Sequence, residues 1–228
     1  MRSLSFLFAT LFVFTATVAS AQCGLFFSEY AEGSSNNKYL EIYNPTSEAI
    51  ALSDYAIASV GNAPTTLGVH EYWNTFSDGA TIAAGDVYVW ANGGSGAEII
   101  AETDQTGNAY FNGDDGYALV FGTEEDYTFI DIVGNFEGDP GTGWEVAGTS
   151  NATANHTLVR KGGVNAGVGY DWASAAGTDA DDSQWIVYDQ NEWSYLGSHV
   201  WTGTCGAAVL GCTNENATNY NGAATEDD

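Results

Sequence analysis

Short runs rich in β-branched and aromatic residues alternate with turn-forming clusters through most of the sequence, and this pattern restricts the fold more than any other feature. Such runs predict strands, and clusters of Gly, Asn, Asp and Pro predict the turns between them. Beyond the first 21 residues, no eleven-residue window shows the 3.6-residue apolar stripe of an amphipathic helix. We predict strands over residues 25–30, 39–44, 55–60, 86–91, 117–121, 127–133, 157–161 and 185–188.

The composition agrees with a packed β core. The 228 residues include 7 Trp, 13 Tyr and 11 Phe, so the chain has enough apolar surface to fold despite a formal net charge of −26. Many short strands without a long helical crossover predict an all-β protein, an immunoglobulin-like antiparallel β-sandwich with long loops. In the second predicted strand, Leu40 and Ile42 share one face, and Tyr39, Glu41 and Tyr43 share the other.

The start of the sequence has the features of an export signal. Arg2 precedes an apolar run over residues 4–18, and Ala19-Ser20-Ala21 follows as a small-x-small cleavage pattern. We predict a signal peptide over residues 1–21 and a secreted protein, extracellular or at the cell surface. We expect residues 22–205 to form the sandwich and residues 206–228 to form a separate tail rich in Cys, Asn and Asp.

The chain has three cysteines, and export places them where disulfides persist. A bridge between Cys23 and Cys205 would join the two ends of the sandwich and leave Cys212 to pair with a cysteine beyond Asp228. A local bridge between Cys205 and Cys212, which leaves Cys23 free, is the alternative.

The charge balance restricts the partners. Cleavage after Ala21 leaves Lys38, Arg160 and Lys161 as the only fixed cations, whereas nucleic acids and anionic membranes are bound through several Lys or Arg side chains. We therefore expect no direct nucleic-acid partner and no membrane partner. We expect Lys38 to pair with Glu32 and to stabilise the polar loop between the first two strands.

We assign no catalytic residue and no cofactor, because the sequence lacks the motifs of nucleophilic, zinc-dependent and nucleotide-binding enzymes. Carboxylates are the one plentiful reactive group, so calcium is the ion to consider, since carboxylate-rich loops offer the oxygen ligands it prefers. Solvated acidic loops that keep the protein soluble are the alternative interpretation. Likewise, the seven tryptophans are candidates for stacking on sugars or partner side chains, with core packing as the alternative. The candidate calcium ligands are Asp114, Asp115, Asp179, Asp181 and Asp182.

The first strand pair resembles a known family. Leu25-Phe26-Phe27-Ser28-Glu29-Tyr30, the loop Glu32-Gly33-Ser34-Ser35-Asn36-Asn37-Lys38 and Leu40-Glu41-Ile42-Tyr43-Asn44 are similar to the opening of bacterial lamin-tail domains. Later segments occur in the family's order, at residues 52–55, 84–89, 112–115, 118–120, 131–134 and 157–161. The resemblance, which runs from about Leu25 to His199, implies an immunoglobulin-like sandwich exported by bacteria. Such modules often accompany extracellular nucleases or phosphoesterases and are not known for catalysis.

The tail has a resemblance of its own. Residues 211–221 and 224–228 are similar to a Cys/Asn/Asp-rich repeat of secreted proteins from marine Bacteroidota. In that repeat a Gly-Ser-Cys sequence usually follows the acidic pair. The resemblance implies that the natural chain continues past Asp228 and supplies the partner of Cys212.

These observations predict a non-catalytic extracellular module with a binding, adhesion or structural role. Its partner would be an extracellular protein, a polysaccharide or a cell-surface component. One alternative is the accessory N-terminal domain of a longer secreted nuclease or phosphoesterase whose catalytic domain lies beyond Asp228. Another is a structural protein stabilised by calcium.

Overall fold

A computed structural model describes residues 23–206, together with Cys212 and Tyr220. The predicted signal peptide lies outside the described residues, and so does most of the tail. Within the described part of the chain, no helix is both long enough and apolar enough to cross a membrane.

The described residues form twelve strands and two short helices. All eight predicted strands are present, with ends shifted by at most two residues. Four further strands and both helices were not predicted. In chain order the elements are β1 (Phe26–Glu32), β2 (Lys38–Tyr43), β3 (Ile50–Ala51), β4 (Tyr55–Val60), β5 (Tyr72–Thr75), β6 (Thr81–Ile82), β7 (Val87–Asn92), α1 (Ala97–Glu102), β8 (Gln105–Gly107), β9 (Gly116–Thr123), β10 (Asp126–Val133), β11 (His156–Arg160), α2 (Trp172–Ala176) and β12 (Trp185–Asp189).

The strands form two main sheets, which confirms the predicted β-sandwich. One sheet has six strands in the order β12-β11-β1-β2-β7-β8, and the other has four in the order β10-β9-β4-β5. A two-stranded ribbon joins β3 to β6. Every pairing is antiparallel except β7 with β8, because the chain crosses back through α1 before β8 begins.

The core lies between the sheets, and the side-chain alternation of β2 shows how the sequence builds it. Leu40 and Ile42 face the core together with Ile57 of β4 and Leu119 of β9, all fully buried. Full burial of such a side chain stabilises the fold by about 1.5–3 kcal/mol. The opposite face of β2 is buried as well, because Tyr39 packs in a second cluster beneath residues 190–197. The six-stranded sheet is therefore covered on both faces at β2.

A buried ion pair connects the two sheets. Nη2 of Arg160, on β11, donates to both carboxylate oxygens of Asp131, on β10, at 2.9 and 2.8 Å, and both side chains are fully buried. The same carboxylate accepts the backbone N–H groups of Phe27 at 2.9 Å and Val168 at 3.1 Å. The Arg160 guanidinium lies 4.3 Å from the ring centroid of Trp185. Asp131 thus holds β1, β11 and the residue 168 loop against β10.

The disulfide joins Cys23 to Cys205, 182 residues apart in sequence, and closes the two ends of the described body onto each other. This finding confirms the predicted pairing and shows that the local Cys205–Cys212 alternative is wrong. Cys212 has a free thiol here. A partner for it beyond Asp228 stays a prediction.

Candidate binding site

A cleft of about 470 Å³ opens where the ends of β4, β5 and β9 meet two long loops, at residues 61–71 and 108–115. This volume lies within the range of about 300–1,000 Å³ that is typical of small-molecule sites. The lining consists of polar and aromatic residues with a few aliphatic ones, namely Ser59, Val60, Gly61, Asn62, Tyr72, Asn108, Tyr110, Asn112, Asp115 and Tyr117.

Strand register places three of these residues side by side. Ser59 on β4 lies opposite Tyr72 on β5 and opposite Tyr117 on β9. Ser59 and Tyr117 are buried, whereas 57% of Tyr72 is exposed. The Tyr117 hydroxyl donates to the backbone carbonyl of Asn108 at 3.2 Å, so the floor of the cleft is bonded to one of its loops.

The second exposed tyrosine is held out by its neighbours. Ala109 and Phe111 are fully buried, while 68% of Tyr110 between them is exposed. The ring of Phe111 stacks on Tyr30 with centroids 4.7 Å apart and meets the edge of Tyr117 at 4.9 Å. Because both flanking residues are anchored in the core, Tyr110 is fixed in an exposed position at the cleft.

Two aspartates that the sequence suggested as calcium ligands connect the loops of the cleft. Asp115 accepts the backbone N–H of Asn62 at 3.0 Å with one oxygen and that of Asn112 at 2.8 Å with the other. Asp114 accepts the side-chain amide of Asn62 at 2.7 Å. Asn62 adopts a positive φ of 51°, a conformation that asparagine tolerates better than most residues. Burial raises the pKa of both carboxyl groups above the usual value.

None of the cations of the described chain lines the cleft, and each is bound to another group, although the charge of Lys38 acts on the nearby Asp115. Lys38 pairs with Glu32, which confirms that prediction, and Glu32 also accepts the backbone N–H of Asn155 at 2.5 Å. Arg160 is bound to Asp131, and the Lys161 ammonium donates to the carbonyl of Ala180 at 2.7 Å. Asp115 is therefore the only charged residue in the lining.

A family comparison agrees with this architecture. The family model described as Lamin Tail Domain matches residues 18–135, just over half of the chain. The chain belongs to the lamin tail domain family. Lamin tail domains are structural immunoglobulin-like modules and are not known as enzymes, which agrees with the resemblance seen in the sequence. All the residues that line the cleft fall inside the matched range. No curated protein and no solved structure matches the chain.

The other three calcium candidates lie outside the matched range, on the connection between α2 and β12. Asp182 accepts the backbone N–H groups of Thr178 and Asp179, at 2.7 and 2.9 Å. Asp179 in turn accepts those of Asp181 and Asp182. None of the three lines the cleft. Over residues 23–206, with 212 and 220, the structure contains no group of three or more His, Cys, Asp or Glu residues that suits a metal ion. Calcium binding stays a prediction from the sequence.

The seven tryptophans suggested for sugar stacking are buried or half-buried, as the core-packing interpretation expects. The most exposed aromatic side chains of the described residues are Tyr110 and Tyr72 instead, ahead of Phe121 and Tyr220. Sequence analysis missed both tyrosines. No local signal distinguishes Tyr110 from its buried neighbour Phe111.

A pair of buried glutamates is the second unusual cluster of the lamin tail domain. Glu29 on β1 lies opposite Glu41 on β2, and each is 1% exposed. Tyr39 donates its hydroxyl hydrogen bond to Glu29, and Glu41 accepts from the Ser28 hydroxyl and the Gly197 N–H, both at 2.7 Å. Burial, followed by repulsion from Glu41, raises the pKa of Glu29 to about 9, and burial raises that of Glu41 to about 7.

This pair is closed to a substrate. It lies on the outer face of the six-stranded sheet, where Trp193 and Leu196 pack over the same surface. The Trp193 ring centroid lies 5.7 Å from that of Tyr39. The two glutamates therefore affect the stability of the covered face, and the open cleft remains the candidate binding site.

We expect the stability of the lamin tail domain to fall as the pH rises from 4.5, the ordinary glutamate value, towards 9. Across this window the folded protein keeps a proton on Glu29 that the unfolded chain releases. Each such proton contributes a slope of about 1.4 kcal/mol per pH unit. Glu29→Gln should flatten the decline and raise stability at pH 8, measured by urea unfolding at several pH values. The exposed Glu48→Gln is the matched control, and an unchanged slope in Glu29→Gln contradicts the assignment.

Proposed function

We propose that this lamin tail domain is a non-catalytic extracellular module that binds its partner in the cleft between residues 59–62 and 108–115. The observation that carries the proposal is the pair of exposed tyrosines, Tyr72 and Tyr110, held on rigid supports at the sides of one polar cleft. The disulfide between Cys23 and Cys205 supports an extracellular location, because disulfides persist in oxidising compartments.

Exposed aromatic side chains at a cleft support binding. Tyr offers a large apolar ring and a polar hydroxyl, and it is enriched where proteins contact partners. The two rings come from different elements, since Tyr72 begins β5 and Tyr110 lies on the loop between β8 and β9. A ligand that fills the cleft would meet both.

The cleft is also preorganised, which reduces the entropy lost on binding. Asp115 bonds both loops through their backbone N–H groups, and Phe111 anchors the second loop in the core. The two carboxylate oxygens of Glu71 accept the backbone N–H groups of Gly61 and Thr65, at 3.2 and 3.0 Å. Loops carried on a rigid sheet in this way are typical of binding sites.

The lining residues favour binding over bond-making. Catalysis by proton transfer needs a group within reach of the substrate whose pKa suits the task. The carboxylate of Asp115 accepts a backbone hydrogen bond on each oxygen, so its role is to hold the two loops together. No histidine lines the cleft: His70 bonds to Tyr127, His156 bonds to Ala154, and burial lowers the pKa of His199 to about 4.

The test uses immobilised purified protein and a panel of soluble polysaccharides and extracellular matrix proteins, with binding followed by biolayer interferometry. We expect at least one member to bind and to be released with unchanged mass. Tyr110→Ala should weaken that binding by about tenfold, the usual size of an aromatic hot-spot effect. Phe121→Ala, which removes an exposed aromatic side chain from the four-stranded sheet away from the cleft, should leave it unchanged. Equal binding by wild type and Tyr110→Ala, no binding at all, or release of cleaved material contradicts the proposal.

A further inference from the structure

We infer that the cleft takes a neutral saccharide, whose ring faces lie on Tyr72 and Tyr110 and whose hydroxyl groups bond to Asn62, Asn108 and Asn112. This inference rests on the proposed function, because it names the ligand class of the same site.

The two tyrosines offer aromatic faces on which a sugar ring can lie. Among all aromatic residues in the described part of the chain, Tyr110 and Tyr72 are the most exposed. The C–H face of a sugar ring is apolar, so it gains from covering an aromatic ring while its hydroxyl groups stay solvated at the edge. Tyr110 is held out by two buried neighbours, which means that its ring is available to a ligand without rearrangement.

The asparagine side chains of the cleft offer hydrogen bonds to sugar hydroxyl groups. A sugar hydroxyl both donates and accepts hydrogen bonds, and an asparagine amide has two donor hydrogens and an acceptor oxygen. Three asparagines line the cleft, at positions 62, 108 and 112. The bond from the Asn62 amide to Asp114 holds that side chain in one orientation, and the Asn108 amide donates to the side chain of Asn74 at 3.2 Å. Fixed amides are the groups that recognise a particular arrangement of hydroxyls.

The electrostatics select a neutral ligand. The lining contains no Lys, Arg or His, and the chain carries a formal net charge of −26, so uronates, sulfated sugars and phosphates would be repelled. A basic peptide would need an acidic residue free to pair with it. Both oxygens of Asp115 already accept a backbone N–H bond, so the one carboxylate of the lining is engaged by the loops of the cleft.

The size of the cleft agrees with this class of ligand. A volume of about 470 Å³ suits a short oligosaccharide segment better than a folded protein surface. Because the cleft lies at the end of the strands, a longer chain could extend over the loops on either side.

The experiment probes the purified protein with a printed array that holds neutral oligosaccharides, uronate and sulfated oligosaccharides, and basic and aromatic peptides. Titration calorimetry then gives the affinity for each probe that binds. We expect binding to neutral oligosaccharides that changes little with salt. Tyr72→Ala and Tyr110→Ala should each weaken it by about tenfold or more, and Phe121→Ala should leave it within about twofold. Both tyrosines are exposed, so the variants should keep the melting temperature of the wild type.

The outcomes separate the inference from the proposed function. Binding only to anionic sugars or to peptides, weakened by Tyr110→Ala, overturns the neutral-saccharide class and leaves the cleft as the binding site. If the wild type and both tyrosine variants bind neutral oligosaccharides equally well, the saccharide site and the proposed cleft are both wrong. An array without any bound neutral oligosaccharide also overturns the inference.

Discussion

Replacing Asp131 by alanine will lower the free energy of unfolding by about 3–5 kcal/mol, the usual cost of breaking a buried ion pair from one side. The Arg160 guanidinium would remain fully buried without its counter-charge, and the backbone N–H groups of Phe27 and Val168 would lose their acceptor. Chemical denaturation monitored by tryptophan fluorescence measures the loss.

Two further variants show whether charge or volume causes this effect. Asp131→Asn keeps the side-chain volume and removes the charge, so most of the loss should remain. Asp126→Ala removes an exposed carboxylate from the start of the same strand and should change stability by no more than about 0.5 kcal/mol. If Asp131→Ala matched Asp126→Ala, the ion pair would not be holding the sheets together.

Removal of the disulfide in a Cys23→Ser, Cys205→Ser double variant will cost about 5 kcal/mol on the chain-entropy model. The loop that this bridge closes spans 182 residues in sequence, so the unfolded chain without the bridge has a much larger conformational entropy than the bridged unfolded chain. Urea unfolding with and without reductant measures the difference. The wild type in reductant should behave like the double variant.

Cys212→Ser is the matched control, because this thiol is free in the described structure. It should leave the unfolding curve unchanged in both conditions. A double variant as stable as the wild type would show that the two ends of the sandwich are held by packing alone.

The sequence was sufficient to predict the strands that carry a regular apolar pattern. In β2, Leu40 and Ile42 alternate with polar or aromatic residues, and the structure places them on the core face as expected. The four strands that were missed are short and have mixed compositions. β8, Gln105–Gly107, reads as a loop and becomes a strand only because it pairs with the end of β7 after the α1 crossover.

The covered outer face was not predictable from local pattern. The alternation of β2 assigned Glu41 to the face opposite the core, where a carboxylate normally meets water. Residues 190–197 close over that face, and the backbone N–H of Gly197 donates to Glu41, 156 residues away in sequence. A contact of that separation leaves no trace in the spacing of either segment.

The cleft depends on similar long-range contacts. Asp114 and Asp115 were identified as residues rich in ligand oxygens, but their partner Asn62 lies more than 50 residues away. The exposure of Tyr110 follows from the burial of Phe111 against Tyr30. Residue type predicted the chemistry available at these positions, and only the fold determined which groups face solvent together.

An NMR titration of the isotope-labelled protein with a neutral oligosaccharide that binds on the array tests whether the domain binds through this cleft. We expect shift changes at the backbone amides of residues 59–62, 72 and 108–117, with oligosaccharide signals that persist unchanged over days. Shift changes confined to another surface, or new signals from a cleaved or modified sugar, would contradict a binding module that acts through this cleft.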